Sequence, residues 1–144
     1  MSEPISLKSL LVPTKSVEVE FPGYEGFKLS LSFLSREELT KIRKKATKVE
    51  FKNRQPVESL NEELFLQLYV DACVKGWTGL KFSYLEQLAP VDVSAQKAED
   101  TLGYSRDNAL YLMKASADFD SYISETVTDL ANFQQPSGAL SQSK

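Results

Sequence analysis

Between Ser16 and Phe33 apolar residues fall at every second position, and from Ser35 onward they fall at helical spacing. That change of period constrains the fold more than any other feature. A period of two lays one face of a strand on a core, and i, i+3, i+4 spacing does the same for a helix. The alternation is clean in Ser16-Val17-Glu18-Val19-Glu20-Phe21 and again in Phe27-Lys28-Leu29-Ser30-Leu31-Ser32-Phe33. Between them, Pro22-Gly23-Tyr24-Glu25-Gly26 supplies a turn with two glycines available for positive φ. The pattern predicts a β-hairpin.

Ser35 followed three residues on by Glu38 has capping-box spacing, and Leu39, Ile42 and Ala46 form a narrow apolar stripe opposite Lys41, Arg43, Lys44, Lys45 and Lys48. Residues 49–58 contain Pro56 and read as a loop, with Val49-Glu50-Phe51 extended within it. Ser59 and Glu62 form a second capping-box spacing, which opens a helix running to about Lys75. That helix is apolar around most of its circumference, so it is expected to be central or covered by a partner. Gly76 stands where a left-handed helix cap belongs, and residues 76–80 form a compact knot around the only tryptophan.

Phe82 to Leu88 reads as a short helix stopped near Pro90, and Val91 to Gly103 as a loop. Ser105 caps a helix from Arg106 to about Ala115, and Ser116 caps another, with Asp118 and Asp120 in its first turn. The latter places Phe119, Ile123, Val127 and Leu130 on one stripe. The expected fold is therefore α+β: an N-terminal β-hairpin packed on a mainly helical body of four or five helices. An arm over 1–14 precedes a single globular domain over 15–133, and 134–144, with Pro136, Gly138 and little apolar content, reads as a disordered tail.

Composition narrows the chemistry. With 42% hydrophobic residues in 144, the chain fills one sizeable core. It has no histidine and a single cysteine, Cys73. Ser-His-Asp triads, histidine-based zinc sites and internal disulfides are thereby excluded. No glycine-rich phosphate loop is present. Gly23-x-x-Gly26 reads as a turn, Asp118 and Asp120 as helix-start charges, and Cys73 as a small core residue. Serine-lysine catalysis, a spatial pairing, stays open, and from the residues alone the reading stops at an α+β domain without an evident active site, with no cofactor or metal expected. No apolar run reaches the length of about 18 residues that a spanning helix needs, and Met1 to Thr14 lacks the order of a signal peptide.

Charge is unevenly spread. Residues 36–54 hold eight basic and three acidic residues, a net of +5, whereas 55–143 hold five basic and thirteen acidic, a net of −8. One reading is a solvated helix face. The other is an electrostatic docking surface that includes Lys41, Lys44, Lys45 and Lys48. Within the second reading, self-association between basic and acidic surfaces is favoured over nucleic acid, because no aromatic residues interleave the basic run on its helix. A small nucleic-acid-binding regulator stays as the weakest alternative. Trp77 also has two readings, a ring that anchors a loop or an interface hot spot.

The order of the landmarks carries a resemblance. Leu34-Ser35-Arg36-Glu37-Glu38-Leu39 follows the hairpin, and an apolar helix leads into Val74-Lys75-Gly76-Trp77-Thr78-Gly79-Leu80. Then come Gly103-Tyr104-Ser105-Arg106-Asp107-Asn108-Ala109-Leu110 and Phe119-Asp120-Ser121-Tyr122-Ile123. Over residues 15–133 this resembles the tail assembly chaperones of long-tailed, non-contractile bacteriophages. Each motif is short, and the specificity lies in their order and spacing. The resemblance implies a protein of the infected host's cytoplasm that binds the long, helical tape measure protein. It would keep that protein soluble until tail tube protein polymerises around it, and be absent from the finished virion. It also implies a protein that is not an enzyme, and a longer form made by ribosomal frameshifting, with the tail as linker. Trp77, Leu80, Tyr104, Met113, Phe119, Ile123, Val127 and Leu130 are then the candidate partner-binding residues, since helix-in-groove recognition uses apolar strips and adaptable side chains. The alternative is a structural tail or head-completion protein retained in the virion.

Overall fold

The computed structural model describes residues 5–10 and 15–133. The tail expected over 134–144 and parts of the arm expected over 1–14 lie outside the described residues. Among the described residues the order is α1 (Leu7–Leu10), β1 (Ser16–Glu20), β2 (Lys28–Ser32), α2 (Arg36–Ala46), β3 (Thr47–Lys52), β4 (Gln55–Leu60), α3 (Glu62–Cys73), β5 (Val74–Thr78), α4 (Phe82–Leu88), α5 (Arg106–Ala115) and α6 (Ala117–Val127). A 3-10 turn, Leu130–Phe133, follows. The fold is α+β, with antiparallel strands at the N-terminus and five helices of two turns or more.

The predicted hairpin is present. β1 and β2 pair antiparallel with Val17 opposite Leu31 and Val19 opposite Leu29, so the alternating residues reach the core together. The turn is closed by Phe21 N–H donating to Phe27 O at 2.8 Å, with Gly23 and Gly26 at positive φ. The sheet has a third strand that the sequence reading took for the end of a helix and a knot. α3 stops at Cys73, and the chain passes without a loop into β5, which pairs with β2. Gly76 lies in that strand opposite Ser30 and caps nothing. Lys75 is the extra residue of a bulge, because Leu31 pairs with Val74 and Ser30 with Gly76. The bulge resets the alternation, so Val74 and Trp77 both face the core although three positions separate them.

The caps fall largely where the sequence places them. Ser35 Oγ accepts from Glu38 N–H at 3.1 Å, Ser105 Oγ from Asn108 N–H at 3.0 Å and Ser116 Oγ from Phe119 N–H at 3.1 Å. Ser116 ends α5 and starts α6, a one-residue corner. The cap of α3 differs: Asn61 Oδ1 accepts from Leu64 N–H at 3.1 Å, while Ser59 lies in β4. A larger difference concerns residues 49–58. These form most of a second hairpin, β3–β4, whose two-residue turn holds Asn53 and Arg54 at positive φ.

The core lies between the three-stranded sheet and α3, α5 and α6. Phe27, Leu29, Leu31, Leu80, Phe119, Ile123 and Val127 are fully enclosed there. Each large side chain of this set contributes roughly 1.5–3 kcal/mol by leaving water. Arg106 with Asp71 at 2.8 Å and Lys114 with Glu63 join α5 to α3 at the surface, where such pairs are worth little.

Gly79 sits at φ +75°, and a Cβ there would stand 2.0 Å from the carbonyl oxygen of Gly26. A Cβ on Gly76 would meet nothing within 4 Å. Gly79→Ala is therefore expected to cost at least about 2 kcal/mol, from positive φ plus a backbone collision. Gly76→Ala should stay within about 0.5 kcal/mol of the parent. Chemical denaturation of the two variants side by side checks the contrast.

Candidate partner-docking surface

Six of the eight candidate partner-binding residues are core residues. Trp77 is 7% exposed, and Leu80, Met113, Phe119, Ile123 and Val127 are buried too. The exposed docking strip that the resemblance points to is not made of these six, because the sheet and the neighbouring helices already cover them. The stripe of α6 is thus a core stripe as far as Val127, and only Leu130, beyond the helix, stands in solvent at 42%. Tyr104 is exposed but tied down: its hydroxyl donates to Val74 O at 3.0 Å, and its ring meets Trp77 edge-on at 5.3 Å.

Trp77 joins several parts of the chain. Its Nε1–H donates to Leu102 O at 2.9 Å, and its ring makes T-shaped contacts with Phe27 and Phe119 at 6.3 and 6.2 Å. Trp77→Ala is expected to cost about 3–5 kcal/mol and to unfold much of the population. Circular dichroism at fixed temperature reads that directly, and a variant of parent stability would refute the core role.

Lys41, Lys44, Lys45 and Lys48 are all exposed. The structure divides them. Lys41, Lys44 and Lys45 are on α2, with Lys41 3.8 Å from Glu37, whereas Lys48 is on β3, 3.8 Å from Glu50. The basic run is therefore not one helix face.

The surface that sequence reasoning missed is the β3–β4 ribbon. All its residues except Thr47 are exposed. Opposed residues in an antiparallel pair share a face. The register puts Thr47, Val49 and Phe51 with Pro56, Glu58 and Leu60 on one side, and Lys48, Glu50 and Lys52 with Gln55, Val57 and Ser59 on the other. The first side is mostly apolar and bare: Phe51 is 75% exposed, Val49 55% and Leu60 41%. The available signal was the alternation in Val49-Glu50-Phe51 together with Asn53 as a turn former, which Pro56 masked. Next to the ribbon's root, α3 leaves Leu64, Phe65, Leu66 and Leu68 half-buried, although α2 and α5 flank it. Ile5, Leu7 and Leu10 at the N-terminus are exposed as well.

Among the described residues nothing else on the surface gathers chemistry. The open concavity lined by Ser83, Glu86, Val93 and Gln96 includes Asp92, whose carboxyl is held below the usual range by hydrogen bonds from Ser94. That is a local turn. Among the described residues no group of three or more acidic or cysteine side chains could hold a metal ion, and no helix is long and apolar enough to cross a membrane. No buried side-chain nitrogen or oxygen among them lacks a hydrogen-bond partner. Comparison with protein-family models, with curated proteins and with solved structures gives no match.

Cys73 is enclosed, and burial pushes its thiol up from the usual 9 to about 12. Burial raises Tyr69 as well, against a hydrogen bond that its hydroxyl donates to Ser124. A raised thiol pKa leaves stability untouched below the unfolded value. Stability is then lost as pH climbs from about 9 to about 12, because the unfolded chain releases the proton first. Melting temperature is expected to fall through that window. At mildly alkaline pH Cys73 should resist alkylation in the native protein and react freely in denaturant; equal rates in the two states would contradict its enclosure.

Proposed function

We propose that this chain is a phage tail assembly chaperone that binds the tape measure protein and keeps it soluble until tail tube assembly. The observation that carries the reading is the bare apolar face of the β3–β4 ribbon on a domain whose own core is complete. Apolar surface of this kind, contiguous and edged by charge, marks an interaction site. A flat face bearing Val49, Phe51 and Leu60 suits the apolar stripe of a long helix. The resemblance in motif order supports the same partner. In this reading the binding residues move from the core stripe of α6 to the ribbon.

The test is co-expression with the tape measure protein of the same phage, scored by the soluble fraction of that partner. Phe51→Asp is expected to abolish most of the solubilisation while shifting the melting temperature little, since the ring packs on nothing in the core. A variant that holds the partner as well as the parent would remove the ribbon from the reading. Recovery of the chain from purified virions would favour a resident tail component instead.

A further inference from the structure

We propose that two copies of this chain join through β3, edge to edge and antiparallel, to make a four-stranded sheet with one continuous apolar face. The argument starts from backbone bonding. Asn61 N–H donates to Ala46 O at 2.7 Å at the root of the ribbon. Bonded and non-bonded pairs alternate along an antiparallel ladder, so Lys48–Ser59, Glu50–Val57 and Lys52–Gln55 are the bonded pairs. Val49 and Phe51 consequently turn their N–H and C=O groups away from β4, toward an open edge. A two-stranded ribbon is marginal by itself in water, and a third or fourth strand is what ordinarily secures one.

The two edges are not alike. On β4 the outward positions are Pro56, Glu58 and Leu60. Pro56 has no N–H to give, and a symmetric pairing centred on the middle outward residue of that edge would set Glu58 directly against its own copy. On β3 the outward positions are Thr47, Val49 and Phe51; the Thr47 N–H is taken by Lys44 O, while Val49 and Phe51 keep both backbone groups open.

Charge selects one register. Centred on Val49, the pairing sets Val49 against Val49 of the second copy, Thr47 against Phe51, and Lys48 against Glu50, the last two contacts each occurring twice by symmetry. Both cross-strand charge pairs are then opposite in sign. Centred on Glu50, the same edges would oppose Glu50 to Glu50 and Lys48 to Lys52, like charges throughout. Centred on Phe51, the ladder runs into the Asn53-Arg54 turn and shortens. A slip by one residue would mate outward groups with groups already bonded to β4 and turn the apolar face over. Thr47 N–H is already given to Lys44 O, so the favoured register makes four backbone bonds: two between the Val49 residues and one from each Phe51 N–H to the other copy's Thr47 O. The side chains of Val49, Phe51 and Leu60 from both copies then line one face, three strand spacings or ~14 Å from outer strand to outer strand. This pairing does not depend on the chaperone reading, and its failure leaves the holding activity of a single ribbon untouched.

Sedimentation of the full chain, with its charge variants, tests the pairing. The parent should show a monomer–dimer equilibrium at micromolar concentration. Lys48→Glu turns both charge pairs repulsive and is expected to weaken the dimer about tenfold or more. Lys48→Glu combined with Glu50→Lys restores opposite pairs and should restore the dimer. Oxidation adds a geometric readout. Val49→Cys should cross-link two chains, because bonded partners stand about 5.5 Å apart at Cα, within disulfide reach. Glu58→Cys, on the guarded edge, should not, and the buried Cys73 does not compete. A parent that stays monomeric, a dimer indifferent to Lys48→Glu, a double variant no better than the single one, or equal cross-linking at positions 49 and 58 would each overturn the proposal.

Discussion

The rest of the domain depends on the seating of Trp77. Its ring lies among Phe27 from the first turn, Phe119 from α6 and Tyr104 from the segment before α5, and its nitrogen is fixed to Leu102 O. One side chain thus ties the sheet, the loop over 91–103, the segment before α5 and α6 to each other. It reaches that place only because β5 is a strand. For β5 to be a strand, α3 must end at Cys73, and Lys75 must bulge so that Val74 and Trp77 point the same way. Gly79 completes the arrangement, because the chain leaves β5 against the carbonyl of Gly26 with no room for a side chain.

The parts of this fold that were legible in the sequence are those decided by neighbours in the chain. The β1–β2 hairpin announces itself by clean alternation around a glycine turn, and Ser35, Ser105 and Ser116 cap helices through bonds to residues three positions on. β5 was illegible for the opposite reason. Its partner, β2, is distant in sequence, and its bulge erases the period that would have revealed it. The ribbon was hidden by chemistry that resembles something else. Pro56 signals a loop, yet it stands at a position of β4 where the missing N–H faces outward and costs the ladder nothing. Ser59 and Glu62 have capping-box spacing, but Asn61 lies closer to the helix and takes the cap.

The burial of the α6 stripe was illegible for a related reason. Periodicity shows that a helix has an apolar face and is silent about what covers it. Phe119, Ile123 and Val127 would look the same in sequence whether the rest of the domain or a partner covered them. The ribbon carries no such ambiguity once its register is known, because both of its faces are in solvent. The positive segment changes meaning in the same way. Read as one helix it was a basic face. In three dimensions Arg36, Lys41, Arg43, Lys44 and Lys45 belong to α2, and Lys48, Lys52 and Arg54 to the ribbon. Arg43 is not purely electrostatic either, since its guanidinium lies 5.6 Å over the ring of Phe65.

The ribbon contributes little to the domain that carries it. Its side chains are absent from the core cluster, and the chain enters it directly from α2 and leaves it directly into α3. A short turn from Ala46 to Asn61 would serve the connection equally well, because Asn61 N–H and Ala46 O are already bonded to each other. Stability therefore does not explain twelve strand residues presenting Val49, Phe51 and Leu60 to water. Nor does indifference explain them, since one edge is guarded by Pro56 and Glu58 while the other is open. A segment with a bare apolar face, a polar reverse face and one open edge has the construction of an element that is completed by another chain.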